Sequence, residues 1–326
     1  MLGFLPGAVR GAIALLLYTA NTIGGVTTLL PFIILKTLIP HEGIRHFLTR
    51  ILTGIAWIWI YINTLILHIT QDIARDVEGV DGFDATASYL VLSNHRSWAD
   101  ILVLQHVWKH RIPFLKFFLK RQLIWVPLLG IAWWALDFPF MKRYSKQFIE
   151  KHPELKGKDL ETTRRYCEKF KKSPISVINF VEGTRFDEKK RQYQNSPYQH
   201  LLKPRAGGVA TVLSAMGENL EAIIDVTLVY PENSAPLPFW DFLKGKIPRV
   251  VMRAKRIEIP QEFVRPGAET DPEFRQHFQD WLNALWDEKD RQIGEILQQY
   301  ARPKESTGSG SERPPLYSGG RKSSSR

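Results

Sequence analysis

Two long apolar segments dominate the start of the chain. Residues 11–35 carry no formal charge, and residues 51–70 are similarly uncharged and rich in Trp and Tyr. Each segment reaches the roughly 20 residues that a helix needs to cross the hydrocarbon core of a bilayer. The pattern therefore predicts a membrane-associated helical region over residues 1–75.

The two segments can be arranged in more than one way. Residues that disturb an apolar span lie in the first of them, at Asn21, Gly24, Gly25 and Pro31. If both crossed the bilayer and the remainder were cytoplasmic, Lys36, Arg45 and Arg50 would violate the positive-inside tendency. We therefore expect a helical hairpin embedded in one leaflet. Two full spans, two buried helices and a cleaved signal peptide at the first segment are the alternatives.

Beyond residue 80, short β-type runs alternate with helical periodicity. The predicted strands are residues 89–93, 111–117, 138–141, 175–181, 222–229 and 250–259. The predicted helices are residues 98–109, 122–135, 159–172 and 208–217. This alternation favours an α/β domain over residues 76–260, with a largely parallel sheet flanked by helices.

The last part of the chain divides into a helix and a polar tail. Apolar residues recur at helical intervals over residues 272–300, which predicts a packed helix in a C-terminal extension, residues 261–301. Residues 302–326 are rich in Ser, Gly, Pro and charge and cannot support a core. We expect this tail to be disordered.

The formal net charge of +11 implies an anionic partner, which could be nucleic acid, an acidic membrane or a phosphorylated substrate. The basic residues sit among apolar and Trp-rich segments, without a recognisable nucleic-acid motif, so we expect a phospholipid membrane and no nucleic acid. The one cysteine, Cys167, excludes an internal disulfide. Neither an HExxH pair nor a cysteine cluster is found, so no metal is predicted.

The stretch YLVLSNHRSWADILVL, residues 89–104, places a polar turn between a predicted strand and a predicted helix. Such a turn is where an open α/β sheet presents its ligand-binding groups. A histidine such as His95 can act as a base, and a carboxylate such as Asp100 can fix its tautomer. A structural role is the alternative, since Ser97 and Asp100 also match a capped helix start.

A second polar junction follows the predicted strand 175–181, at Glu182, Gly183, Thr184 and Arg185. Gly183 permits a tight turn. The other three side chains offer an acceptor, a hydroxyl and a forked cation, which suit a polyol and its phosphate. Either junction alone is modest support for a catalytic site.

Together and in this order, the two junctions resemble the glycerolipid acyltransferase family, which includes the bacterial lysophosphatidic acid acyltransferases. The first family motif, Asn-His followed by four residues and Asp, is matched by Asn94, His95 and Asp100. The third, Phe-Pro-Glu-Gly-Thr-Arg, is matched by Phe180, Glu182, Gly183, Thr184 and Arg185. Val181 replaces the usual proline, which should alter the rigidity of the turn more than the chemistry.

The other two family motifs are matched less closely. The second, Gly-x-Ile-Phe-Ile-Asp-Arg, falls on DFPFMKR, where Phe140 and Arg143 fit while Asp137 and Lys142 depart. The tandem Lys142 and Arg143 still supplies charge for a phosphate, and this version looks like a particular branch of lysophospholipid acyltransferases. The fourth falls loosely on IIDVTLVYP, residues 223–231.

The resemblance implies transfer of a fatty acyl group from acyl-CoA or acyl carrier protein to the free hydroxyl of a lysophospholipid. Lysophosphatidic acid, giving phosphatidic acid, is the leading acceptor. His95 would be the general base and Asp100 would orient it. Substrate binding would fall to Asn94, Lys142, Arg143, Glu182, Gly183, Thr184 and Arg185. No cofactor beyond the acyl donor, and no acyl-enzyme, is implied.

Three alternatives stay open. The acceptor could be another lysophospholipid, such as lysophosphatidylglycerol. The protein could be a membrane hydrolase that uses the same His and Asp on water, or a basic membrane-binding protein without catalysis. We expect it in the bacterial inner membrane, with the catalytic domain on the cytoplasmic face. The apolar segment within residues 117–140 would lie at the interface or form a buried helix.

Overall fold

A computed structural model describes residues 2–141, 158–171, 173–233, 237–265 and 271–301, without the side chains of residues 158–160. Its strands are β1 (Ala74–Glu78), β2 (Tyr89–Ser93), β3 (Leu115–Phe117), β4 (Leu119–Lys120), β5 (Phe140–Met141), β6 (Ser176–Phe180), β7 (Ala222–Val229) and β8 (Arg249–Ile257). The described α-helices are α1 (Gly7–Leu38), α2 (Glu42–Thr70), α3 (Ala99–Trp108), α4 (Leu129–Ala135), α5 (Lys158–Phe170), α6 (Glu188–Tyr193), α7 (Ala206–Met216), α8 (Phe239–Leu243) and α9 (Pro272–Ala301).

Six strands form the main sheet, in the order β1-β8-β7-β2-β6-β3. All neighbours are parallel except β7 and β8. The predicted fold class, α/β with a largely parallel sheet flanked by helices, is confirmed. Strands β2 and β7 have the predicted bounds, and β1 was missed although it pairs with β8 along the sheet edge.

The predicted strand 111–117 begins only at Leu115, because its first residues lie in the turn that follows α3. The amide of Arg111 donates to Trp108 O at 3.0 Å, and His110 has a φ of 64°, which turns the chain. The predicted strand 138–141 is reduced to β5, which pairs with β4 in a separate two-stranded sheet.

The prediction of one helix over residues 122–135 is wrong. A 3-10 helix covers Arg121–Trp125, and α4 begins at Leu129. Pro127 lacks the amide that a continuous helix needs, and Leu128 has a φ of 65°, so the chain turns between the two helices. Exposed apolar side chains point away from the core here, at Trp125, Leu128, Ile131 and Trp134. The segment is therefore not a buried core helix.

The N-terminal helices α1 and α2 form an antiparallel hairpin. Asn21 donates to Asn63 Oδ1 at 2.9 Å and to Trp59 O at 3.1 Å, which satisfies a polar side chain within the apolar helix. A Cβ on Gly25 would lie 2.9 Å from the Trp59 ring, so glycine permits the close approach of the two helices. Both helices are long and apolar enough to cross a membrane by length and composition.

The hairpin lies along the α/β domain. Near the start of α1, Arg10 Nε donates to Lys244 O at 3.0 Å, and near its end Lys36 pairs with Asp137 at 2.9 Å. These two anchors are about 39 Å apart at the rise of an α-helix. The two ends of α1 therefore contact the same domain.

The two faces of the sheet carry separate hydrophobic clusters. Along β2, Val91 packs into one cluster with the hairpin and α3, while Leu90 and Leu92 pack into the other with α5, α7 and α9. Cys167 is fully buried in the second cluster, and burial raises the pKa of its thiol to about 12. Helix α9 thus completes the core of the sheet, while the predicted tail 302–326 lies outside the described residues.

Candidate active site

The two polar junctions meet at the carboxyl edge of the sheet. Strands β2 and β6 are parallel neighbours, with Ser93 opposite Phe180, so the residues that follow them lie side by side. The amide of Val181 donates to Ser93 O at 3.2 Å and extends the pairing by one step. Proline at this position has no amide hydrogen and could not make this bond. The departure from the family motif therefore adds a hydrogen bond.

His95 is held through its backbone and its ring. Its amide donates to Glu182 Oε1 at 2.9 Å, and its carbonyl accepts from the amide of Phe186 at 2.7 Å. The ring stacks on Phe180, with centroids 4.0 Å apart and planes 17° apart. The side chain is 14% exposed. The second junction thus fixes the histidine of the first from three sides and leaves a narrow opening to it.

Asp100 supports the imidazole from inside the protein. Its Oδ2 lies 2.7 Å from His95 Nδ1 and also accepts from the amides of Arg96 and Ser97, at 2.7 and 3.0 Å. Its Oδ1 accepts from the hydroxyl of Tyr230 at 2.7 Å. The carboxylate is fully buried and occupied at both oxygens. The capping and orienting roles are therefore both present in one side chain.

With Nδ1 directed at a carboxylate, Nε2 is the nitrogen that remains for chemistry. A carboxylate accepts the Nδ1–H and so favours the tautomer whose lone pair is on Nε2. The same carboxylate stabilises the imidazolium once Nε2 takes a proton. The arrangement can therefore act as a general base.

Two of the predicted substrate-binding side chains are turned inward. Glu182 is fully buried, and its oxygens accept from the amides of His95 and Leu202 at 2.9 and 3.0 Å. Asn94 is also fully buried and exchanges two hydrogen bonds with the backbone of Leu228, at 2.9 and 2.8 Å. Both side chains join chain segments, and neither faces an open space. Both oxygens of Glu182 are therefore already occupied by backbone amides, and its predicted part in substrate binding stays a prediction.

The environment of Glu182 has opposing electrostatic effects. Burial raises the pKa of its carboxyl to about 7, while the two amide hydrogen bonds and the charge of Arg96 act in the other direction. Arg96 donates to His200 O at 3.1 Å and lies over the Phe186 ring at 4.6 Å. The guanidinium is therefore packed beside the two buried carboxylates that hold His95.

The remaining predicted residues are more open. Gly183 has a φ of 70° and closes a tight turn, with its amide donating to Phe180 O at 2.8 Å. Arg185 is exposed and lies over the Trp98 ring at 5.2 Å. Thr184 accepts from the ammonium of Lys190 at 3.1 Å. Lys142 and Arg143, which were also predicted to bind substrate, lie outside the described residues.

The site carries the motifs of a known family, and comparison identifies that family. A model described as Acyltransferase matches residues 74–231. These residues form an acyltransferase domain. Lysocardiolipin acyltransferase 1 of Gallus gallus is 26% identical and covers 85% of this chain, which spans 70% of that protein. 1-acyl-sn-glycerol-3-phosphate acyltransferase delta of Mus musculus is 30% identical and covers 62% of this chain. This chain spans 51% of that protein, about half its length.

A solved structure is also similar to this chain. The 1-acyl-sn-glycerophosphate acyltransferase of Thermotoga maritima is 15% identical, with a TM-score of 0.47. The match covers 92% of this chain and 100% of the Thermotoga maritima chain.

Two polar side chains that were not predicted as site residues also support the acyltransferase domain. Tyr230 follows β7, and its hydroxyl donates to Asp100. Lys190 in α6 adds a cation beside Arg185, because its ammonium donates to the carbonyl of Arg185 at 2.9 Å. The position of Tyr230 at the end of a buried strand was the signal available in the sequence. Nothing in the periodicity singled out Lys190.

Helix α9 lies beyond the matched residues and still reaches the acyltransferase site. Lys289 is fully buried, pairs with Asp225 at 2.8 Å and donates to Val226 O at 2.7 Å. Asp290 accepts from the amides of Gln199 and His200, at 2.9 and 2.7 Å. Lys289 thus fixes the strand that leads to Tyr230, and Asp290 fixes the loop whose carbonyl holds Arg96.

The described ranges offer no constellation for a metal ion. Across them, no group of three His, Cys, Asp or Glu side chains lies close enough together to bind one.

Proposed function

We propose that this chain transfers a fatty acyl group from a thioester donor to the free hydroxyl of a lysophospholipid. The observation that carries the proposal is the His95–Asp100 pair, held at 2.7 Å at the carboxyl edge of the sheet. Such a pair can accept a proton from a hydroxyl group, and the acyltransferase motifs of the chain lie around it. The donor is acyl-CoA or acyl carrier protein.

The reaction needs one proton acceptor and no acyl-enzyme. His95 Nε2 takes the proton of the acceptor hydroxyl while its oxygen attacks the thioester carbonyl. The C–O bond forms, the C–S bond breaks, and the imidazolium returns the proton to the leaving thiolate. General base catalysis of this kind contributes roughly 10² to 10⁴ in rate. Asp100, Glu182 and Tyr230 are positioning residues, since they act through His95.

The acceptor phosphate binds at the exposed cations beside the histidine. Arg185 lies on the turn that follows β6 and Lys190 lies in α6, and a guanidinium suits a phosphate with two parallel hydrogen bonds. Lysophosphatidic acid, with its terminal phosphate, is the leading acceptor, and phosphatidic acid is the product. Lysophosphatidylglycerol is the second candidate. Lys142 and Arg143 remain predicted partners of the same phosphate.

The protein binds one face of a membrane through its hairpin. This is supported by the two contacts that tie both ends of α1 to the α/β domain, because a helix that crossed the bilayer would carry one end away from it. The exposed apolar side chains of the hairpin and of residues 125–134 supply the surface that lipid would cover. Because acyl-CoA and acyl carrier protein are soluble donors, we propose that the site faces the cytoplasm at the bacterial inner membrane.

A product assay tests the proposal. The purified chain in detergent micelles is given oleoyl-CoA with lysophosphatidic acid, lysophosphatidylglycerol or lysophosphatidylethanolamine, and in parallel an acyl carrier protein donor. We expect diacyl product that is lost by at least about 10²-fold in His95→Ala and retained in the matched control His277→Ala, an exposed histidine.

Two results would contradict the proposal. Free fatty acid without diacyl product would indicate hydrolysis by the same pair. Absence of product with every acceptor and both donors, in membranes as well as micelles, would favour a binding protein without catalysis.

A further inference from the structure

A cavity lies at the opposite edge of the sheet from His95. It has a volume of about 910 Å³ and is bordered by the turn of the hairpin, by Phe114 before β3 and by Ile175 before β6. Strand β6 runs from this edge to Phe180, which stacks on His95. At about 3.3 Å per residue, the five steps from Ile175 to Phe180 separate the two sites by about 17 Å. The cavity is therefore distinct from the acceptor site proposed above.

The cavity carries an excess of positive charge. Five cationic side chains line it, Lys36, Arg45, Arg50, Lys116 and Lys169, beside two carboxylates, Glu42 and Asp137. Asp137 is already paired with Lys36 and Lys169, at 2.9 and 3.9 Å. Arg45, Arg50 and Lys116 have no side-chain hydrogen bond or ion pair with any residue in the described part of the chain. Helix α2 also begins here, and its amide dipoles add positive potential.

Lys116 is the cation that is hardest to explain without a ligand. Its ammonium lies 5.0 Å from the Phe170 ring and is partly buried. Burial lowers its pKa to about 8, and the charges of Lys36 and Lys169 act in the same direction against the attraction of Asp137. A partly buried cation without an anionic partner is unfavourable, so a bound anion would stabilise it.

The exposed surface of the hairpin turn beside the cavity indicates what kind of anion fits. Large apolar side chains on the hairpin turn are exposed, at Ile34, Leu35, Leu38, Ile44 and Phe47. Leu38 is 72% exposed and Phe47 is 61% exposed. A free phosphate would leave these side chains in water, whereas a phospholipid would cover them with its acyl chains while its phosphate meets the cations.

We propose that this cavity binds the phosphate of an anionic phospholipid, as a second lipid site separate from the acceptor site. Arg45, Arg50 and Lys116 contact the phosphate, and the acyl chains lie along the hairpin turn. The inference rests on the membrane association in the proposed function and is independent of the transfer reaction. Such a site would fix the hairpin turn at the headgroup level of an acidic membrane.

Binding can be measured without any acyl transfer. The full chain in a neutral detergent is titrated calorimetrically with dihexanoyl-phosphatidylglycerol, dihexanoyl-phosphatidylcholine and inorganic phosphate. We expect saturable one-site binding of phosphatidylglycerol, at least about tenfold tighter than that of the other two ligands. Lys116→Met and Arg50→Gln should each weaken it by about fivefold or more, because each removes a charge partner of the phosphate. Lys255→Gln, at an exposed cation elsewhere, should leave it unchanged.

Further variants and ligands test which site binds the phosphatidylglycerol. Arg185→Gln should keep the affinity for phosphatidylglycerol, since Arg185 belongs to the His95 site. Loss of binding in Arg185→Gln would place the lipid in the acceptor site and overturn the proposal. Equal binding of phosphatidylcholine, equal binding of inorganic phosphate, or equal weakening by Lys255→Gln would also overturn it. A protein that binds phosphatidylglycerol as described but transfers no acyl group would refute the transferase alone.

Discussion

The amide of His95 donates a hydrogen bond of 2.9 Å to Glu182, a residue 87 positions later in the chain. This bond joins the two motifs that were recognised separately in the sequence. The same carboxylate also binds the amide of Leu202 at 3.0 Å. Glu182 therefore fixes the position of His95 at the edge of the sheet, because its two oxygens accept hydrogen bonds from two backbone amides.

Replacing Glu182 by Gln tests this role. One oxygen can be retained, but the amide group of Gln presents N–H donors where the carboxylate had an acceptor, so one backbone amide loses its partner. We expect the free energy of unfolding to fall by about 2 kcal/mol and kcat to fall more than KM rises. The matched control is Glu188→Gln on the exposed surface of α6. Unchanged kcat in a folded Glu182→Gln enzyme would contradict the positioning role.

Glu182 should also shape the dependence of stability on pH. Its pKa is raised from the ordinary 4.5 to about 7 by burial. Between these two values Glu182 binds more protons in the folded protein than in the unfolded chain, so its contribution to stability is fully present below about pH 4.5 and is lost as the pH rises through about 7. The loss is on the order of 3 kcal/mol. Chemical denaturation in detergent at several pH values should show this loss of stability in the wild type, and Glu182→Gln should lack it.

Tyr230→Phe removes the hydroxyl that donates to Asp100 Oδ1. Asp100 is fully buried, so its Oδ1 would lose a hydrogen-bond donor without gaining a water molecule in its place. We expect a loss of about 1.5 to 3 kcal/mol in stability, typical of a hydrogen bond to a charged group, and a lower kcat at unchanged KM. Thermal unfolding and acyl-transfer kinetics measure the two effects. Tyr198→Phe, whose hydroxyl makes a longer bond of 3.4 Å to a carbonyl, is the control and should change kcat little.

The buried pair of Lys289 and Asp225 predicts a non-additive mutant pair. Lys289→Met leaves a buried carboxylate without its partner and should destabilise the protein by about 3 to 5 kcal/mol. Adding Asp225→Leu removes that stranded charge and should recover part of the stability. Urea unfolding of Lys289→Met, Asp225→Leu and the double mutant measures the coupling. A double mutant as unstable as the sum of the two single mutants would show that the pair is not coupled.

The exposed tryptophans of residues 125–134 should contribute to membrane binding. Trp125 is 84% exposed and Trp134 is 48% exposed. Because each ring buries apolar area in the interface, Trp125→Ser with Trp134→Ser should weaken binding to liposomes by about tenfold or more. Activity on a short-chain acceptor in micelles should change little. Tyr193→Ser, at a 90% exposed residue on the polar helix α6, is the control. Equal effects in the control would contradict this membrane face.

The sequence determined the features that depend on neighbours in the chain. Alternation of apolar runs gave strands β2 and β7 with their observed bounds, because a central strand buried on both faces is continuously apolar. The same local reading identified the strand-to-turn junctions at His95 and Glu182. It failed for the helix over residues 122–135, where Pro127 and the φ of Leu128 divide the segment. The predicted domain bounds stay predictions, although β1 already begins at Ala74.

The roles of individual side chains depended on the tertiary structure. Asn94 and Glu182 look like ligand-binding residues in a motif, but parallel pairing of β2 with β6 and β7 places them where backbone groups from distant segments occupy their polar atoms. Tyr230, Lys289 and Asp290 join the site only because β7 and α9 pack beside it. A hydrogen bond between residues far apart in the chain leaves no local pattern, so only the fold could show which side chains hold His95.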